Sequence, residues 1–153
     1  MRNSSILLFV PLAMTMSGCG SVGVSASPDL VAATGPHGGR AVLLPGGAGY
    51  GEVVVEHDKS SRPGPASARL VVYFLKTDLK TPLSPAPLDV RVKAVPPNGE
   101  PATVPLTPQA KRGDAMSSGR FASAPGNFDF DELQGDLTAT VAGQTVTRPF
   151  SFH

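Results

Sequence analysis

Short apolar runs alternate with turns rich in glycine and proline from residue 35 to the end of the chain. Residues 88–94 alternate strictly, and one face carries only apolar side chains: Leu88, Val90, Val92 and Ala94. A period of two is typical of a strand with one buried and one solvated face. Residues 68–76 are apolar on both faces, which predicts a strand at the centre of a sheet.

The same pattern predicts strands elsewhere and no convincing helix. Six further segments have the length and spacing of strands: 40–44, 50–57, 102–106, 120–122, 137–141 and 144–147. Within residues 50–57, Val53 and Val55 lie on one face and Glu52 and Glu56 on the other. Residues 107–118 form an irregular link. We therefore expect an all-β fold, an antiparallel, immunoglobulin-like β-sandwich of about seven or eight strands.

The last two strands specify their own register. Only Ala142 and Gly143 separate them, and a two-residue loop sets which residues face each other. The expected pairs are Val141 with Gln144, Thr140 with Thr145, Ala139 with Val146, and Thr138 with Thr147. Threonine would then face threonine across one side of the hairpin.

Composition excludes several other classes of protein. The chain of 153 residues contains 17 Gly and 16 Pro, too many for long helices or a coiled coil. A hydrophobic content of 41% argues against wholesale disorder. One β-rich domain is the expectation that remains.

The first residues have the features of a bacterial export signal. Arg2 precedes an apolar stretch that is too short to span a membrane, and Met16-Ser17-Gly18-Cys19 resembles a lipobox. An ordinary secretory signal is the alternative, but Cys19 is the only cysteine and lipidation gives it a role. We expect a lipoprotein signal peptide at 1–18, a palmitate-bearing membrane anchor at Cys19 and a flexible tether at 19–34. The sandwich would occupy 35–153, in the bacterial cell envelope, exposed to the periplasm or to the outside.

The balance of charges in the sequence indicates which classes of partner the chain can bind. Loss of Arg2 with the signal leaves equal numbers of basic and acidic residues, and no basic cluster is present. This argues against nucleic acid as a partner. The expected partners are the membrane, through the anchor, and an envelope protein.

No catalytic motif stands out. The closest carboxylates, Asp129, Asp131 and Glu132, are near neighbours in sequence, and adjacent residues do not form the two sides of a cleft. Nucleophile and phosphate-binding motifs are also missing from the sequence. We therefore expect a protein that is not an enzyme and needs no cofactor.

Metal binding is the alternative. His37 lies in a glycine-rich entry to the first strand and His57 at the end of the second. Pairing of these strands would bring the two histidines close, and imidazole with carboxylate suits Zn or Cu. The candidates for a third ligand are Glu52, Glu56, Asp58 and His153. The favoured set is His37, His57 and Glu52, with surface histidines as the competing interpretation.

One resemblance supports the same expectations. The segment Gly35-Pro36-His37-Gly38-Gly39-Arg40, followed by Tyr50-Gly51-Glu52 and Leu70-Val71-Val72-Tyr73, resembles small bacterial β-sandwich lipoproteins. It also resembles the His-Gly-Gly N-terminal β-domain of heavy-metal efflux periplasmic adaptor proteins. The resemblance implies a sandwich, an envelope location and a link to heavy metals. Many relatives have His where this chain has Gly51, so His37 and Glu52 are what remains of the implied metal site.

Overall fold

The structure is a computed structural model, and it describes residues 33–57, 68–95, 100–109, 119–128 and 133–152. Ten strands form within these residues. They are β1 (Ala33–Thr34), β2 (Arg40–Leu43), β3 (Tyr50–His57), β4 (Ala68–Leu75), β5 (Leu88–Val95), β6 (Ala102–Pro105), β7 (Thr107–Pro108), β8 (Arg120–Ala122), β9 (Gln134–Val141) and β10 (Gln144–Ser151). A 3-10 turn covers Pro45–Gly47.

The strands pair antiparallel in two sheets. Sheet A has six strands in the order β1-β2-β3-β4-β8-β7, and sheet B has four in the order β10-β9-β5-β6. The all-β sandwich expected from the sequence is confirmed. The strand count is higher than expected because β1 and β7 contain only two residues each, too few to show a period of two.

The inner faces of the two sheets share one hydrophobic core. β4 lies between β3 and β8, as its two apolar faces predict, and Val53 and Val55 of β3 point into the core. The largest fully buried apolar side chains of this core are Phe74, Leu44, Leu70, Leu137, Val53, Val72 and Val92, whereas Val71 packs with Val54 and Ala122 in a second, smaller cluster. Burial of each leucine or phenylalanine contributes about 1.5–3 kcal/mol, so this core is the main source of stability.

The chain changes sheets between β6 and β7. β6 forms the edge of sheet B, in keeping with Pro105, and the next residue, Leu106, is buried and donates its N–H to the carbonyl of Val90. Thr107 and Pro108 then pair with β8 in sheet A. The expectation that residues 107–118 form an irregular link is therefore wrong for Thr107 and Pro108, which form β7.

Leu88 corrects a second expectation. The alternation of β5 predicts that it is buried with Val90 and Val92, but it is 66% exposed. The register between β5 and β9 shifts between Leu88 and Arg91, and Asp89 has a positive φ of 49°. This irregularity turns Leu88 to the opposite face from the buried valines, because one extra residue in a strand reverses the alternation.

The C-terminal hairpin has the register that the sequence predicts. All four expected pairs are present, from Val141 with Gln144 to Thr138 with Thr147. Ala142 and Gly143 have positive φ values of 48° and 81°, which identifies a type I′ turn.

Several sequence-based expectations concern residues outside the described ranges. They include the signal peptide at 1–18, Cys19, residues 20–32 of the tether, the candidate ligands Asp58 and His153, and the acidic residues Asp129, Asp131 and Glu132. The last two residues of the expected tether form β1. Within the described ranges, the chain forms no helix of the length and apolarity that crossing a bilayer requires.

Candidate functional site

Glu52 is a fully buried carboxylate on the outer face of sheet A. Alternation along β3 points it away from the core, on the side opposite Val53, yet its exposed fraction is 0%. Both oxygens accept hydrogen bonds. Oε1 accepts the backbone N–H groups of His37, at 2.8 Å, and Gly39, at 3.0 Å, and Oε2 lies 2.8 Å from Nδ1 of His37. A buried carboxylate with three donors is well compensated for its loss of water.

The turn between β1 and β2 is what covers Glu52. It is closed by a hydrogen bond from the N–H of Gly35 to the carbonyl of Gly39. Glycine is required at both positions, since a Cβ on Gly35 would collide with the carboxylate of Glu52 and one on Gly39 with the carbonyl of Val53. The glycine-rich segment therefore allows the backbone to lie directly on the carboxylate.

The imidazole of His37 lies between this carboxylate and an aromatic ring. Because a carboxylate accepts hydrogen bonds, Nδ1 of His37 carries the hydrogen, and Nε2 of the neutral ring carries the lone pair. The ring stacks on Tyr73 with centroids 3.8 Å apart and an angle of 8° between planes. Its side chain remains 41% exposed. The two contacts fix an imidazole at the surface in one orientation.

Tyr73 connects the site to the ion pair between Arg120 and Glu56. Its hydroxyl donates to Oε1 of Glu56 at 2.7 Å, and Arg120 donates from Nη2 to Oε2 of Glu56 at 2.7 Å and from Nε to the Tyr73 hydroxyl at 3.3 Å. The Arg120 guanidinium carbon lies 5.9 Å from the centre of the Tyr73 ring. The side chains of His37, Tyr73 and Arg120 thus form one row on the outer face of sheet A.

Burial and charge affect the acid–base properties of this row. Partial burial raises the pKa of Tyr73 above 10.0, and the hydrogen bond to Glu56 raises it further. Partial burial acts to lower the pKa of Arg120, but its contacts with Tyr73 and Glu56 outweigh this effect and the pKa is raised. The phenol is therefore neutral and the guanidinium charged across the physiological range.

The structure joins two of the three residues of the expected metal set. His37 and Glu52 are hydrogen-bonded, and Glu52 uses both of its oxygens within the protein. His57 is exposed at the end of β3, opposite Ala68, at a position whose alternation matches Val53 and Val55 rather than Glu52. Within the described ranges, no group of three or more His, Cys, Asp or Glu side chains is arranged to hold a metal ion.

Two residues of the site, Tyr73 and Arg120, were not identified from the sequence. Both lie in the lateral row that runs across sheet A from Glu52, because Glu52 pairs with Tyr73 and Tyr73 pairs with Arg120. Tyr73 sits at an outward position of a mostly apolar strand, which is a signal for a polar contact. Arg120 carries no such signal until the pairing of β4 with β8 is known.

Comparison with known proteins identifies no relative. No protein-family model matches the chain, and neither a curated protein nor a solved structure matches it significantly. The site must be interpreted from its own geometry.

Proposed function

We propose that the chain is a lipid-anchored β-sandwich protein of the bacterial cell envelope that acts as a non-catalytic binding or interaction module. The lipobox at Met16-Ser17-Gly18-Cys19 and the segment after it, which is rich in Ser, Gly and Ala, support the anchor and the location. The membrane is then one partner, and an envelope protein or polymer on the exposed side is another.

The observation that carries the proposal is the structural role of Glu52, which holds the β1–β2 turn in place. Glu52 is sealed from solvent, so it does not itself exchange protons with a substrate, and it holds the turn that carries His37. The site is therefore organised to keep a surface shape constant. Constancy of shape favours recognition, because a preorganised surface loses little entropy on binding.

The anchor is tested by metabolic labelling. Cells that express the wild-type protein are grown with radioactive palmitate, and the protein is recovered from the membrane fraction. We expect label in the wild type and none in Cys19→Ala, because the lone thiol is the attachment point. Ser17→Ala leaves the cysteine in place and is the matched control. Wild-type protein without label would contradict the proposal of a lipid anchor.

The absence of catalysis is tested with a panel of hydrolase substrates. We expect no turnover above buffer for the intact protein purified in a nonionic detergent. Turnover that is lost in His37→Ala but kept in His57→Ala would contradict the proposal and identify an enzyme.

A second candidate function is periplasmic metal binding associated with heavy-metal efflux or resistance. It is favoured by the hydrogen bond between Glu52 and Nδ1 of His37, since metal-binding histidines usually donate their other ring nitrogen to a carboxylate or carbonyl group. In that case Nε2 of His37 would ligate Zn or Cu and Glu52 would orient the ring. His57 would have to approach it to contribute a second ligand.

Calorimetric titration of the intact protein with Zn, Cu and Ni separates the two candidates. Metal binding predicts an affinity tighter than about millimolar, near −4 kcal/mol, that disappears in a His37→Ala/His57→Ala double variant. Equal binding by the double variant, or no binding by the wild type, would eliminate the metal candidate.

A further inference from the structure

The outer face of sheet B concentrates positive charge and hydroxyl groups. Arg91 and Lys93 alternate with buried residues along β5 and are both exposed. Residues two apart on one strand lie about 7 Å from each other on the same face. Among the salt bridges between described residues, none involves Arg91 or Lys93.

Threonines surround the two cations in a fixed register. Arg91 faces Thr138 of β9, which in turn faces Thr147 of β10, and Lys93 faces Asp136 on one side and Thr103 on the other. The hydroxyls of Thr138 and Thr147 are 3.0 Å apart. Only one of the two hydrogens is used in that bond, so the pair keeps a donor for a ligand.

These side chains line an open cleft. Its volume is about 270 Å³, and it is lined by Arg91, Lys93, Thr103, Asp136, Thr138 and Thr147. None of the six is apolar. The cleft therefore offers a planar guanidinium, an ammonium, three hydroxyls and one carboxylate, which is chemistry for a polar, hydroxyl-bearing anion.

We propose that this face binds an anionic glycan of the cell envelope. Arg91 contacts a phosphate or carboxylate group on the glycan through two parallel N–H groups, a geometry that suits both anions. Lys93 and the threonine pair hydrogen-bond neighbouring oxygens, and Asp136 accepts from sugar hydroxyls. The proposal rests on the envelope location argued above and names the partner of the interaction module.

A glycan fits this face better than a membrane surface does. Attraction to an anionic bilayer grows with the number of Lys and Arg side chains near it, and two cations beside one carboxylate supply little of it. None of the side chains that line the cleft is apolar, and the exposed Leu88 on the same face lies outside that lining. The hydroxyls and single carboxylate of the cleft can form hydrogen bonds with the hydroxyl groups of a sugar chain.

The test is a binding titration with the intact protein in a nonionic detergent. Three labelled polymers are compared: poly(glycerol phosphate), alginate and neutral dextran. We expect binding to one or both of the anionic polymers, and which of them binds identifies phosphate or carboxylate as the recognised group. Arg91→Ala/Lys93→Ala should weaken binding at least tenfold. The control Lys76→Ala/Lys80→Ala removes two exposed charges elsewhere and should change it less than twofold.

Other results would overturn the proposal. They are no binding to either anionic polymer, dextran binding of equal strength, an equal loss in both double variants, or displacement of the polymer by phosphatidylglycerol added to the micelles. Palmitate labelling is independent of this assay, so loss of the glycan site and loss of the anchor are distinguishable.

Discussion

Glu52 and Tyr73 occupy directly paired positions on β3 and β4, and His37 closes over both of them. The carboxylate accepts a hydrogen bond from Nδ1 at the edge of the imidazole, and the phenol ring stacks against the face of the imidazole. This pairing connects the glycine-rich turn to the middle of sheet A. The geometry of a surface imidazole is therefore set by a buried charge.

Substitution of Glu52 should destabilise the fold. Glu52→Gln keeps the shape of the side chain but replaces one acceptor oxygen with a donor NH₂ that faces Nδ1 of His37. We expect the free energy of unfolding to fall by about 1–3 kcal/mol, measured by urea denaturation of the intact protein. Glu100→Gln, at an exposed position, should leave it within about 0.5 kcal/mol. A stable Glu52→Gln variant would show that the carboxylate does not hold the turn.

Stability should fall at alkaline pH because of Tyr73. The unfolded phenol ionises near pH 10.0 and the folded phenol above it, so the folded state binds more protons in that window. The free energy of unfolding should therefore decrease as the pH rises from about 10 through the folded pKa. Tyr73→Phe should remove part of this decrease, and Tyr50→Phe is the matched control. Identical pH profiles for the wild type and Tyr73→Phe would contradict the prediction.

The hairpin turn offers a stabilising substitution. Ala142 adopts a positive φ of 48°, which an alanine tolerates poorly and an asparagine tolerates well. Ala142→Asn creates the Asn-Gly pair favoured in type I′ turns and should raise the free energy of unfolding by about 0.5–1 kcal/mol. Ala48→Asn, at a residue with φ of −60°, should bring no such gain. Lower stability of Ala142→Asn in urea denaturation would count against this turn geometry.

The hairpin and the buried glutamate show what a sequence can and cannot predict here. The register of β9 and β10 follows from a two-residue loop, so local information is enough, and the threonine pairs form as expected. The face of Glu52 also follows from alternation. Its burial does not, because it depends on the path by which the β1–β2 turn folds over sheet A.

The partners of the site depend on contacts that are distant in sequence. Arg120 reaches Tyr73 and Glu56 only because β8 pairs with β4, and Arg120 lies 47 residues after Tyr73 in the sequence. Leu88 illustrates the opposite failure, since a local shift in register breaks an otherwise clear alternation. Periodicity predicts elements, but cross-strand pairing determines which side chains meet.

Mass spectrometry of the intact protein isolated from bacterial membranes tests the central claim most directly. A lipid-anchored envelope module predicts a chain that begins at Cys19 and carries the added mass of a diacylglyceryl group on its sulfur. A chain that begins at Met1, or a mature chain with an unmodified Cys19, would contradict the account.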